Sequence, residues 1–194
     1  GFILDDKIIV EATISVTKTE GVGVEIGARD FSEPNETSDL CLIVEFKRVH
    51  VTRAILAEHS PVFKRMFYGA FEENGKREIE LKDVKHKDFV ELLNLIYTSL
   101  HGISDESVEG ILVLADRFHM KIVLEAAGIF LMINSRRSTP KRLLLTDIYK
   151  LDQAQAHLIY SIKTPCDMKA VQKSDEYRKF SDVLKARVCD RAAE

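Results

Sequence analysis

Six histidines, His50, His59, His86, His101, His119 and His157, are the side chains best suited to metal binding or to proton transfer near neutral pH. None falls in H-E-x-x-H, H-x-H or H-x-x-x-H spacing, so no local ligand set forms and each reads as a surface or half-buried structural residue. Cys41, Cys166 and Cys189 lie far apart, with no C-x-x-C pair and no nucleophile context, and no serine occurs in G-x-S-x-G. Asp5-Asp6 and Glu72-Glu73 are adjacent pairs whose side chains diverge on a helix or strand, which suits them poorly to shared acid–base work. The reading is therefore no catalytic residue, no metal and no cofactor: not an enzyme. A different chemistry is suggested by Phe71. Phe63, Met66 and Phe67 recur at helical spacing, Gly69 ends the run, and then a large aromatic stands directly before Glu72 and Glu73. An apolar ring among carboxylates is equipped for non-covalent recognition; the other reading is that it folds back over Phe67 and Tyr97.

These residues sit in a chain of 194, enough for one or two domains, with 45% hydrophobic and 30% charged residues, the balance of ordinary globular material. No apolar run reaches the roughly 18 residues of a membrane span, and "GFILDDKIIVEATISV" has no basic-then-apolar leader pattern. Without an initiator Met, the chain is expected to be a fragment or a processed product. Three scattered cysteines favour a reducing compartment, cytoplasmic or nuclear, over a disulfide scaffold. The net charge of −3 hides an asymmetry: 15 basic against 23 acidic residues up to Ser135, then 13 against 8 from Arg136 on. The later basic residues are interleaved with Asp and Glu, so no continuous stripe for nucleic acid is expected.

The elements that must carry these side chains follow from periodicity. Residues 7–17 are β-branched and partly alternating, a strand; residues 21–38 are Gly-, Pro- and Ser-rich, a linker. "LCLIVEF", residues 40–46, reads as a strand, and "KRVHV", residues 47–51, as its hairpin partner. Thr52 is expected to cap a helix carrying Ala54, Ile55 and Leu56, and Ser60 with Pro61 to open the next. Residues 77–81 alternate as a third strand. Phe89, Leu92, Leu93 and Ile96 make one helical face, Ser104 with Glu106 opens another helix, and a third runs from about Lys121 to Asn134. Beyond Pro140 the pattern is all helical: 140–151, 152–162, a short turn at 167–173, and 181–192, with Leu143, Leu144, Tyr149, Leu151, Leu158 and Ile159 buried. The fold class is α+β.

The order strand-strand-helix-helix-strand-helix-helix-helix, with "SDLCLIVEFKRVHVTRAILAEHSPVFKRMF" and "IELKDVKHKDFVELLNLIYTS", resembles a BTB (POZ) domain: a small sheet with flanking helices, here over 38–134. Residues 138–194 resemble the start of a BACK-like helical extension. Residues 1–20 are similar to the last strand or two of a MATH domain, joined through a linker at 21–37. The chain is thus expected to be a MATH–BTB protein with most of its MATH sandwich missing, and "AEHSPVFKRMF" is similar to the nematode members. Two positions depart from the pattern. Thr52 stands where a His is usual, and "GVGVEIGARDFSEPNETS" is not the Leu-rich helix that precedes the first strand in strongly dimerising members.

The resemblance implies a protein-interaction module: a substrate adaptor of a cullin–RING ubiquitin ligase that dimerises through its BTB domain. The alternative is an oligomerisation scaffold with no ligase role. In adaptor-type members a hydrophobic residue, any residue, then Glu follows the "MF" helix and docks on a cullin; Phe71-Glu72-Glu73 fits that register. The implied cullin-contacting residues are Met66, Phe71, Glu73 and Tyr97. The implied dimer face carries Asp39, Arg53 and Ile55, while Leu56 reads as core. The implied partners are a cullin scaffold, a second copy, and a substrate held by the missing MATH domain, with neither nucleic acid nor membrane. The helices beyond 138 would either lengthen the cullin contact or cover an apolar face of the BTB domain.

Overall fold

The computed structural model describes the backbone of residues 2–4 and 7–9, and residues 29–69, 75–98 and 102–193. Phe71 and Glu73 lie outside the described residues, as do 10–28, which hold most of the expected first strand and half of the expected linker.

At the start, β1 (Phe2–Leu4) and β2 (Lys7–Ile9) pair antiparallel. β3 (Leu40–Val44) and β4 (Lys47–Val51) form the expected hairpin, with Leu40 opposite Val51 and Val44 opposite Lys47. The strand expected over 40–46 stops two residues early, because Glu45 and Phe46 are the turn, with φ of 47° and 63°. A two-residue hairpin turn of this type matches strand twist by holding both central residues left-handed. The sequence supplies neither Gly nor Asn there, so the turn gave no signal. β5 (Glu78–Leu81) joins parallel to β3, giving the order β4-β3-β5.

Helices α1 (Arg53–His59), α2 (Pro61–Tyr68), α3 (His86–Thr98), α4 (Val108–Arg117) and α5 (Lys121–Ile133) follow in the predicted order. Leu42, Val44, Val49 and Val51 of the sheet meet Leu56, Phe63, Phe67, Phe89, Leu92 and Leu93 in one core. The start of α4 corrects one expectation. Ser104 and Ser107 exchange backbone N–H to hydroxyl bonds, at 3.2 and 3.1 Å, so Ser107 fills the reciprocal role expected of Glu106, and the helix proper begins at Val108.

The extension comprises α6 (Thr139–Ile148), α7 (Asp152–Tyr160), α8 (Pro165–Lys173) and α9 (Asp182–Ala193), with a 3-10 turn at Tyr177–Lys179. The expected short turn at 167–173 is a full helix. Thr164 and Asp167 cap each other's amides and Pro165 sits in the first turn, a signal the sequence held and the periodicity obscured. These helices have a core of their own: Leu143, Leu158, Met168, Phe180, Leu184 and Val188. A third apolar layer, Val108, Leu112, Ala127, Leu131 and Leu145, joins α6 to α4 and α5. Leu143, Leu144, Leu158 and Ile159 are buried as expected; Tyr149 and Leu151 are half-buried against that joining layer.

A polar clasp closes the same junction. The Asp105 carboxylate accepts the Ser135 hydroxyl at 2.5 Å and the Arg136 amide at 2.9 Å. Glu109 takes Arg137 at 2.6 Å and Lys141 at 2.9 Å. The Ser135 hydroxyl first, then the Arg136 amide and the nearby guanidinium groups, hold the Asp105 pKa below its ordinary 3.8. A carboxyl depressed in the folded state stabilises fully above its unfolded pKa, and that contribution is lost as pH falls through the folded value. Asp105→Asn is therefore less stable than wild type in urea unfolding at pH 7. The gap between the two narrows as pH falls below 3.8; a pH-independent gap would show that the carboxylate charge does not hold the clasp.

Candidate functional site

Of the residues implicated in binding, Met66 lies on α2, Tyr97 on α3, and Arg53 and Ile55 at the start of α1; α2 is fixed at both ends. At its start Ser60 has no exposed surface; its hydroxyl accepts the Phe63 amide at 3.1 Å and donates to the Phe118 carbonyl at 2.6 Å. Pro61 occupies the first helical position, as the sequence predicts. One face of α2 buries Phe63 and Phe67. The Phe63 ring stacks on Phe118 at 4.4 Å and on Phe67 at 5.5 Å. At the far end the Gly69 amide donates to the Arg65 carbonyl at 2.8 Å, and a Cβ on Gly69 would stand 2.3 Å from that oxygen. Glycine therefore lets the chain leave the helix close against its last turn. Met66 is half-buried against the core, and Tyr68 beside it is 58% exposed. The stretch bearing Phe71 thus leaves from a helix that cannot easily rotate or slide.

Tyr97, near the end of α3, is half-buried and engaged within its own subunit. Its hydroxyl accepts the Thr52 amide at 2.7 Å, and its ring meets Phe31 edge-on at 5.2 Å. The Arg29 guanidinium lies 4.5 Å from the Tyr97 ring centre and 5.0 Å from that of Phe31. Thr52 holds the N-cap position of α1 but does not cap it; its hydroxyl donates instead to the Thr37 carbonyl at 2.8 Å.

The capping is supplied from outside the helix. Asp39, just before β3, accepts the Arg53 amide at 2.8 Å, placing a carboxylate at the positive end of α1. Asp39 and Arg53 therefore meet through a backbone N–H. The Arg53 guanidinium turns the other way: Nη2 donates to the Lys76 carbonyl, while Nε is buried without a partner among the described residues. Ile55 is half-buried on the outer side of α1, and Leu56 beneath it is core, as expected. The role of Asp39 as a remote cap has no sequence signature, since helix caps are sought at the adjoining residue.

Among the described residues no group of three His, Cys, Asp or Glu side chains could hold a metal, and no helix is long and apolar enough to cross a membrane. Cys41 lies buried in the central strand, and burial, with Glu78 nearby, pushes its thiol pKa up, away from thiolate chemistry.

Comparison with known families matches residues 28–135 to the BTB/POZ domain. The chain belongs to the BTB/POZ family. Its relatives include BTB and MATH domain-containing protein 36 of Caenorhabditis elegans, 33% identical over 94% of this chain and 57% of that protein. BTB and MATH domain-containing protein 38 of the same organism is 30% identical over 98% of this chain and 49% of its own length. The chain thus spans about half the length of such relatives. Kelch-like protein 40 of Xenopus laevis is 32% identical over 54% of this chain and 17% of that protein. Among solved structures, the BTB domain of human gigaxonin overlays with a TM-score of 0.42 at 19% identity, over 48% of this chain and 77% of that one. The BTB match opens ten residues ahead of the span read from the sequence, taking in Arg29 and Phe31, which pack on Tyr97.

Ser60 makes the rigidity of the BTB site measurable. Ser60→Ala removes the cap of α2 and strands the buried Phe118 carbonyl, losses that together come to about 2–3 kcal/mol. Urea unfolding followed by circular dichroism should show that loss; a change within about 0.5 kcal/mol would mean that the cap and carbonyl bond are replaceable.

Proposed function

We propose that this BTB chain is a non-enzymatic adaptor that dimerises and recruits a cullin–RING ubiquitin ligase. The observation that carries this reading is the setting of Phe71-Glu72-Glu73. The hydrophobic-x-Glu stretch follows directly on a helix pinned by Ser60 at one end and by a close-packed Gly69 exit at the other. A rigid platform lowers the ordering cost of presenting one aromatic anchor, and flanking carboxylates keep the free surface wet and steer a basic partner. Met66, Tyr97 and Glu73 are assigned to the same contact in this reading.

Dimerisation is assigned to the face bearing Asp39, Arg53 and Ile55. The half-buried Ile55 on α1 supports that assignment. In a longer chain with a MATH domain, that domain would select the substrate and this chain would deliver it.

Two measurements test the reading. Titration calorimetry with the N-terminal domain of a cullin should show binding by the wild type and a loss of about 2 kcal/mol, roughly thirtyfold, for Phe71→Ala at unchanged melting temperature. Equal binding by the two proteins removes Phe71 as the anchor. No binding by either, with the dimer intact, favours a BTB oligomerisation scaffold. In light scattering, Ile55→Lys should shift the chain toward monomer, and an unchanged mass would move the two-fold face elsewhere.

A further inference from the structure

In the β4-β3-β5 sheet no strand lies beyond β5 among the described residues. Cys41 stands opposite Glu78, and its backbone amide donates to the Arg77 carbonyl at 2.9 Å. In a parallel ladder alternate residues bond toward the neighbour. Arg77, Ile79 and Leu81 therefore turn their peptide groups to β3, and those of Glu78 and Glu80 face outward. Arginines occupy the carbonyls at both ends of this edge. Arg53 donates to Lys76, and Arg117 donates to Lys82 at 2.8 Å and to Asp83 at 2.6 Å. Between these two clamps, two outward N–H and two outward C=O groups carry no backbone partner among the described residues. Lys76, Glu78, Glu80 and Lys82 alternate onto one exposed side of the strand, a basic-acidic-acidic-basic row. Glu78 meets Arg48 at 3.1 Å, a contact half open to water on both sides.

The hairpin tip beside this edge is a second observation. Phe46 is 98% exposed and sits at φ 63°, following Glu45 at φ 47°. Asn-Gly would hold such a turn with less strain, and the Phe46 ring stands clear of the described residues of its own domain. An open groove of about 520 Å³ runs between this tip and the strand, lined by Glu45, Phe46, Glu80, Leu81, Lys82 and Val84.

We propose that the β5 edge receives an extended segment of another protein as a fourth, antiparallel strand. The segment carries acidic, basic, basic and acidic residues opposite Lys76, Glu78, Glu80 and Lys82, and an apolar side chain at one end that rests on Phe46. Charge selects this occupant over a second copy. Of the antiparallel registers that overlap two such edges over residues 76–82 by more than one residue, with outward groups facing, all but two set like charges directly opposite, which is unfavourable. The two that do not, Lys76 opposite Glu78 and Glu80 opposite Lys82, engage only three residues and call on carbonyls that Arg53 and Arg117 already hold. Main-chain bonds supply the affinity and alternate side chains the selectivity, as in other strand additions.

Peptide binding to the whole chain tests this. The probe is fluorescein-labelled FTEVKLKVET, beside a charge-reversed FTKVELEVKT and a form of the first N-methylated on the residues that would face the edge. Anisotropy should show saturable binding of the first peptide and about tenfold weaker binding of the other two. Hydrogen exchange should show protection appearing at the Glu78 and Glu80 amides. Phe46→Gly should weaken the first peptide about fivefold with a melting temperature no lower than wild type, since glycine relieves the turn. Equal binding of the three peptides, no binding up to about 1 mM, or protection elsewhere overturns the proposal. Concentration-dependent protection of the edge without peptide also overturns it, in favour of self-association.

Discussion

Ser60 is a single hydroxyl with two obligations, and the geometry of the BTB domain turns on it. It opens α2 by accepting the Phe63 amide and reaches across the core to the Phe118 carbonyl at the end of α4. That bond joins elements 58 residues apart at a point with no access to water. A buried carbonyl left without a donor costs about 1–3 kcal/mol, so α2 cannot shift along its axis without paying it. The aromatic stack of Phe63 on Phe118 fixes the same two elements laterally. Sliding and rolling of α2 are opposed by separate contacts, and the chain that leaves the helix at Gly69 inherits a defined starting point.

The helices beyond Thr139 answer a different demand. Four short helices of 9 to 12 residues are marginal by themselves in water. Here they share a core around Leu143, Leu158 and Leu184, and a second apolar layer through Leu145 ties them to α4 and α5. Two buried polar latches orient α9: Asp147 receives both the amide and the hydroxyl of Ser181, and Gln155 receives Arg187 at 2.6 Å. The clasp at Asp105 and Glu109 then sets the angle at which this unit leaves the BTB domain. The two roles weighed for it from the sequence, covering an apolar face or extending a contact surface, are physically compatible, because α6 and α7 pack inward on α5, with Ala154 against Gly128, while α8 and α9 build outward.

Much of this was legible in the sequence, for a physical reason. Elements whose identity depends on repeating apolar positions, such as Phe89, Leu92 and Leu93 in α3 or the alternation of β5, announce themselves, as do caps adjoining their helix, such as Ser60-Pro61. What escaped depends on contacts between distant residues or on backbone conformation. Asp39 caps α1 from 14 residues away, and Thr52, in the adjoining position, spends its hydroxyl elsewhere. Glu45 and Phe46 take left-handed conformations that their residue types disfavour, so the turn reads as strand in the sequence. Tyr97 read as a contact residue by its place in a family pattern, and its bond to Thr52 and its packing on Phe31 give it a structural duty as well.

The features that packing leaves unexplained share a property: each costs the isolated chain something. Arg53 Nε, buried without a partner among the described residues, forfeits a hydrogen bond there, and Phe46 holds a strained backbone while exposing a full ring. Core residues in the same domain show the opposite economy, with Leu42, Leu56, Phe63 and Leu93 wholly enclosed. Local costs inside an otherwise consistent fold tend to mark surfaces whose remaining partner belongs to another molecule. Arg53 and Arg117 add to that pattern, since by clamping the carbonyls on either side of β5 they leave open only its central peptide groups. An edge bounded in this way can accept a short strand and offers too little length for the unlimited pairing that leads to aggregation.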